Sequence, residues 1–167
     1  IMAMGSWTRD GDSGPDDVAV FYSSEGEIAV YSGTDPSSAS TWALVGVFQH
    51  GRPVGRRCIT KVGSSLALIS ENGFQDVSSI LSVDRSSSEN VAISKQINDA
   101  VNTAVRSYGT LFGWQPILFP RSQMLIFNIP ISTTEMHQYV FNSLTGAPCR
   151  FKGLNALCWG MRGDKMF

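Results

Sequence analysis

The chain has 167 residues, 43% hydrophobic and 16% charged, with a formal net charge of −1. This composition allows a sizeable core and offers no apolar run near the ~18 residues of a membrane-spanning helix. The near-neutral balance argues against a protein whose main work is electrostatic capture of nucleic acid, though it leaves room for a local basic patch. Three cysteines, Cys58, Cys149 and Cys158, show no Cys-x-x-Cys spacing. An odd count in a chain of this length predicts reduced, buried thiols and assembly inside a cell rather than a disulfide framework.

In chain order, Ile1 to Asp17 is rich in Gly, Asp and Ser and reads as loop. Met2, Met4 and Trp7 are placed to finish a strand of a preceding unit, so residues 1–16 are set apart as a remnant. Val18 to Tyr22 and Ile28 to Tyr31 flank a turn at Ser23–Glu27. Thr34-Asp35-Pro36-Ser37-Ser38 favours a bend, Trp42 to Phe48 a strand, and Gly51 to Gly55 a crossover. Ile59 to Val62 and Leu66 to Ile69 flank Gly63-Ser64-Ser65. The Asn72-Gly73 pair suits a hairpin turn before Phe74 and Val77.

The β pattern then stops. Ser86-Ser87-Ser88-Glu89 is a capping box, and Ile93, Ile97, Ala100, Val101, Ala104, Val105 and Tyr108 fall on one helical face. Lys95, Asn98, Asp99, Asn102 and Arg106 take the other face. The spacing predicts a helical insertion at about 88–108, closed by Gly109 and packed on its own β unit. Strands resume within Trp114 to Ile131, and Tyr139–Phe141 pairs with Cys149–Phe151 across Thr145-Gly146. A last hairpin runs from Leu157–Trp159 through Gly160–Asp164 to Lys165–Phe167.

Hairpin turns centred at Gly26, Ser64, Ser122 and Gly163 recur about every 40 residues once the helix is set aside, which is the period of β-propeller blades. The predicted fold is therefore mainly β: a partial β-propeller over 17–167, about three blades plus part of a fourth, with one inserted amphipathic helix. Phe21, Tyr31, Trp42, Phe48, Ile69, Trp114, Phe127 and Trp159 are the predicted core. A closed propeller needs roughly four to eight blades, so bare sheet edges are expected to meet further blades or another chain. The chain reads as a piece of something longer.

Strings with a chemical look are outweighed by structural readings. Gly11-Asp12-Ser13-Gly14-Pro15 resembles the nucleophile segment of serine proteases, but a triad needs a base and an orienting acid in place. His50 and His137 each adjoin a hydrophobic strand end without a second ligand at metal spacing. Asp10, Asp12, Asp16 and Asp17 alternate like calcium ligands but lack the closing bidentate Glu, so a solvated acidic loop is favoured over a calcium site at Asp10, Asp12 and Asp16. Ser32-Gly33-Thr34-Asp35-Pro36 with Trp42 departs from the spacing of a sialidase Asp box, and no acidic pair suits glycoside hydrolysis. No catalytic residue, metal or cofactor is predicted, and no enzyme. The strongest charged cluster is Arg52, Arg56, Arg57 and Lys61, set among Gly51, Pro53 and Gly55. It reads as a solvated loop first, and next as a contact to a neighbouring subunit or to DNA phosphate.

Three strings carry a family resemblance. They are Tyr31-x-Gly33-Thr34-Asp35-Pro36-Ser37-Ser38 with Trp42–Phe48 and Gly51–Cys58; Ala92–Val101 with Tyr108-Gly109; and Phe112–Gln115 with His137–Ala147. In this order they resemble β-propeller tail proteins of short-tailed phages and prophages, similar in role to the hub or nozzle below the portal. The resemblance runs from about Trp7 onward. It implies a virion structural subunit assembled in the bacterial cytoplasm, extending the DNA channel in a hexameric ring of its own copies. Portal or adaptor, other tail proteins and DNA in the channel would be its partners. The competing reading is a carbohydrate-binding or glycosidase-like propeller for host recognition, which an exposed aromatic pair flanked by paired acids would favour; a third is a generic cellular scaffold.

Overall fold

Alternation of period two organises the strands of this chain into antiparallel sheets. A computed structural model describes residues 1–11, 14–82 and 93–167, with backbone alone for 9–11, 14–16, 81 and 82. The first sheet is a meander of β1 (Ala3–Gly11), β2 (Gly14–Tyr22), β3 (Glu27–Gly33) and β4 (Trp42–Gln49) in that order. The second contains β5 (Ile59–Val62), β6 (Ser65–Ser70) and β7 (Gly73–Asp76), followed by a short helix α1 (Val77–Ser82). Helix α2 (Asn98–Tyr108) leads to the third sheet, β8 (Gln115–Phe119), β9 (Met124–Pro130), β10 (Met136–Asn142) and β11 (Pro148–Lys152). A hairpin of β12 (Met161–Arg162) and β13 (Lys165–Met166) ends it. The expected turns at Gly26, Ser64, Ser122 and Gly163 all connect paired strands.

The sheets stack in sequence: β1 lies against β5 and β6, and these against β8. Trp7, Val18, Val20, Tyr22, Ile28 and Val30 line the inner face of the first sheet and join one core with Leu66, Leu68, Phe74, Phe127 and Phe141. Phe74 and Phe127 stack at 3.9 Å between the second and third sheets, and Phe141 meets Phe127 edge-on at 5.7 Å. Val101, Ala104 and Val105 of α2 are buried in the same core over β7 and β9, so the helix packs on the sheets as its apolar stripe requires. The third sheet is covered on its other face too, where Ile117, Ile126 and Val140 receive Trp159, Met161 and Met166.

Several expectations need correction. Most of Ile1–Asp17 is strand rather than loop: β1 pairs with β2 from Ala3↔Tyr22 to Gly11↔Gly14, in the same sheet as the residues that follow. Trp7 is buried while Met4 and Ser6 face out, a period-two pattern that the surrounding Gly and Asp residues conceal. Phe21, Tyr31 and Trp42 are not core. Their neighbours Val18, Val20, Tyr22, Ile28 and Val30 take the inner face, and parity puts the three aromatics on the outer one. Phe48 and Trp159 are partly buried at the margins of the two clusters, whereas Ile69, Trp114 and Phe127 are interior as expected. Ala100 of the predicted helical stripe is exposed.

Leu157–Trp159 is not a strand, and β12 begins only at Met161. The helix begins with a 3₁₀ turn at Lys95–Ile97 and runs regularly only from Asn98; the capping box Ser86–Glu89 lies outside the described residues. Helix α1 was not anticipated. Asp76 caps it, its carboxylate accepting from the Ser78 N–H at 2.9 Å and the Ser78 hydroxyl at 2.7 Å.

Two glycines separate conformational need from spatial need. Gly26 (φ 90°) has no room for a Cβ, which would fall 2.4 Å from the His50 carbonyl oxygen; Gly63 (φ 60°) faces open space. Gly63→Ala is expected to cost about 1 kcal/mol, the left-handed penalty alone. Gly26→Ala must also displace the backbone beyond β4 and should cost clearly more; paired urea denaturation curves check the order.

Candidate functional site: an arginine-lined cleft

The crossover from β4 to β5 is a fixed platform. The Arg52 carbonyl accepts from the Glu71 N–H at 2.9 Å, Pro53 bridges Ser70, and the Val54 N–H donates to the Ile69 carbonyl at 3.2 Å. The facing wall is the last turn of α2 and Gly109–Trp114. Gly109 N–H donates to Val105 O at 2.9 Å, Leu111 N–H to Tyr108 O at 2.9 Å, and the Trp114 indole to the same Tyr108 carbonyl at 3.0 Å. The Val105 and Tyr108 carbonyls of the helix end are thus satisfied within the chain.

Between these walls lie two adjoining clefts. One, of about 420 Å³, is lined by Gly55, Arg56, Arg57 and Gly109–Trp114. The other, about 490 Å³, is lined by Pro53, Val54, Glu71, Val105, Arg106, Gly109 and Thr110. They meet at Gly109 and Thr110. Phe112 stands exposed at the rim, with the Arg57 guanidinium 5.5 Å from its ring centroid, a cation–π contact that holds this side chain outward. An arginine beside an exposed ring can hold a carboxylate or phosphate bidentately and cover a planar group.

The expected basic cluster is therefore only partly one site. Arg56 and Arg57 share the first cleft. Arg52 pairs with Glu25 at 2.9 Å, both side chains largely exposed, so the pair adds little to stability. Lys61 lies on β5 opposite Leu66 and lines neither cleft. Helical periodicity gives the face of Arg106 on α2 but not the loop beside it, and no sequence pattern joins Arg106 or Phe112 to the crossover.

Both histidines are structural. His50 Nε2 lies 3.2 Å from the Ser70 hydroxyl, and burial holds its pKa below the ordinary value. His137, buried on β10, is bracketed by Glu135 at Nε2 (3.0 Å) and by the Arg150 guanidinium at Nδ1. An arginine can only donate, so Nδ1 accepts and the ring hydrogen sits on Nε2. Asp35, of the Asp-box-like string, accepts from the Ser37 N–H at 2.9 Å and its hydroxyl at 2.7 Å; these bonds lower its pKa and fix a bend. Trp42 of that string stacks on Tyr31. Among the described residues no group of three or more His, Cys, Asp or Glu side chains is arranged to hold a metal ion. The acidic positions Asp10, Asp12 and Asp16, and the Gly11–Pro15 string, lie outside the described side chains.

The cysteines differ from expectation. Only Cys58 is buried, and burial pushes its thiol up to about 11; Cys149 and Cys158 are exposed. With a thiol-specific chromogenic reagent at pH 8, two thiols per chain should react quickly and the third only on unfolding. No family model matches the chain, and no curated protein matches it.

Proposed function

We propose that the chain is a structural component of a short phage tail, a partial β-propeller that extends the DNA channel below the portal and contacts neighbouring tail subunits. The observation carrying the propeller part is the stacking of successive meanders by their leading strands, β1 against β5 and β5 against β8, as blades around an axis would be arranged. The tail role rests on the resemblance of Tyr31–Cys58, Ala92–Gly109, Phe112–Gln115 and His137–Ala147 to short-tail propellers. In this reading the protein works mechanically: a rigid stack presents the Arg56–Arg57 cleft and its loops to other copies, to portal or adaptor, or to DNA. It acts in the virion tail after assembly in the host cytoplasm.

The carbohydrate-binding reading called for an exposed aromatic pair between paired acids. Tyr31 and Trp42 form a half-buried pair, but around them lie Phe21, Leu44 and Val47 rather than acids. That arrangement favours protein contact over sugar hydrolysis. The tail reading is tested by immunogold labelling of purified particles from the producing strain with antibodies to this chain. Gold at the tail is expected; protein present in cells but absent from purified particles would overturn it.

A further inference from the structure

We infer that the outer face of the first sheet is an interface between two copies of this chain, packed sheet on sheet about a twofold axis. Register puts one apolar row across all four strands, Met4, Phe21, Ala29 and Val47, and a second row carries Ala19, Tyr31 and Leu44. Phe21 meets Tyr31 edge-on at 5.7 Å, and Tyr31 stacks on Trp42 at 5.8 Å with the planes 11° apart. A bulge between Val30 and Tyr31 leaves Val45 as the extra residue of β4 beside Leu44. Met4 is 71% exposed, Val47 55%, Leu44 51% and Val45 44%.

Among the described side chains, charge on this face appears only at its margins. Asp17 lies at one end, hydrogen-bonded by the Thr8 hydroxyl at 2.7 Å, and Glu27 at the other. An uncharged aromatic centre with a polar rim is the anatomy of a protein interface.

What covers the face follows from the rest of the stack. The inner face of the first sheet packs on the second sheet, the second on the third, and the far face of the third on the β12–β13 hairpin. The first sheet's outer face has the same make-up as these covered surfaces and, among the described residues, nothing on it. Other exposed strand surfaces make poor partners. The hairpin turns Arg162 and Lys165 outward, and the β11 edge carries Arg150 and Lys152, so docking either would bury charge against Phe21, Tyr31 and Val47. The outer face itself is the complementary surface that buries none, and a face that fits itself forms an isologous pair.

Four strands ~4.8 Å apart and about seven residues long span roughly 400 Å² of flat sheet per copy. Two such faces, about 800 Å² in flat projection, lie below the size of stable specific interfaces, which predicts a weak, reversible dimer rather than an obligate one.

Sedimentation velocity on the full chain from about 5 to 500 µM tests this, with wild type expected to pass from monomer to dimer. Val47→Lys and Leu44→Lys should each raise the dissociation constant at least tenfold, because a lysine would be desolvated at the centre. Both positions are exposed in the monomer, so thermal midpoints should stay near wild type. Arg162→Glu, exposed on the β12–β13 hairpin away from this face, should leave association unchanged. Hydrogen exchange on the wild type supplies a readout without substitution: amides of β4 should exchange more slowly at the high concentration than at the low. A wild type that stays monomeric throughout, lysine variants that associate like wild type, or an Arg162→Glu variant that abolishes association would each overturn the inference. None of these outcomes bears on particle labelling, so the dimer and the tail assignment fail separately.

Discussion

Phe127→Ala is expected to destabilise the protein by about 3–5 kcal/mol, lowering the thermal midpoint on the order of 10 °C. Phe127 is fully buried, stacks on Phe74 across the junction of the second and third sheets, and meets Phe141 edge-on. Removing the ring deletes transfer free energy and opens a cavity that two rigid sheets cannot collapse around. Phe127→Leu keeps most of the volume and should lose well under half as much. Trp42→Ala is the informative contrast. Trp42 is the larger residue, but it is only partly buried on the outer face of the first sheet, so its loss in the monomer should stay near 1 kcal/mol. Urea denaturation of the three variants, at a concentration where the chain is monomeric, gives the comparison. Equal losses for Phe127→Ala and Trp42→Ala would mean that the aromatic core does not join the sheets as described.

That contrast also marks how far the sequence was legible. Hairpins could be read because each is encoded locally: Val18–Tyr22 with Ile28–Tyr31, Ile59–Val62 with Leu66–Ile69, and Tyr139–Phe141 with Cys149–Phe151 pair as their alternation and turn residues imply. Which face is buried was harder. Around β2 and β3 both parities are apolar, Val18-Val20-Tyr22 against Ala19-Phe21, so aromatic size misled where the β-branched parity was the inner one. The helical stripe could be read because Val101, Ala104 and Val105 hold the 3.6 period, whereas Ala100 sits at its edge and falls outside. The cleft could not be read, since it needs the loop at Arg56 and Arg57 brought beside Phe112, over fifty residues away in the chain and joined only by tertiary packing.

The row of amides across the third sheet was equally hidden, and it yields the second large effect. Gln115, Asn128 and Gln138 lie directly opposite one another on β8, β9 and β10, a register that no local pattern shows. Asn128 is fully buried with all its capacity used. Its Nδ2 donates to the carbonyls of Gly113 (2.8 Å) and Ala156 (3.0 Å), and its Oδ1 accepts from Gln138 Nε2 (2.8 Å) and the Trp159 indole (3.1 Å). Gln138 donates to the Leu154 carbonyl at 2.8 Å, and Gln115 exchanges two 2.9 Å bonds with the Trp159 backbone. These bonds hold the non-strand segment before β12 without a ladder: side-chain amides take the backbone groups of Leu154, Ala156 and Trp159 over the sheet face. Asn128→Ala should cost on the order of 3 kcal/mol, because it orphans several buried partners at once. The loss should be local in character. Amides of residues 154–159 should lose hydrogen-exchange protection and Trp159 emission should shift to the red, while amides of β5–β7 keep their order of protection. If the global stability falls but residues 154–159 stay as protected as in wild type, the apolar contacts of Trp159, Met161 and Met166 with Ile117, Ile126 and Val140 hold the segment, and the amide row serves the sheet alone.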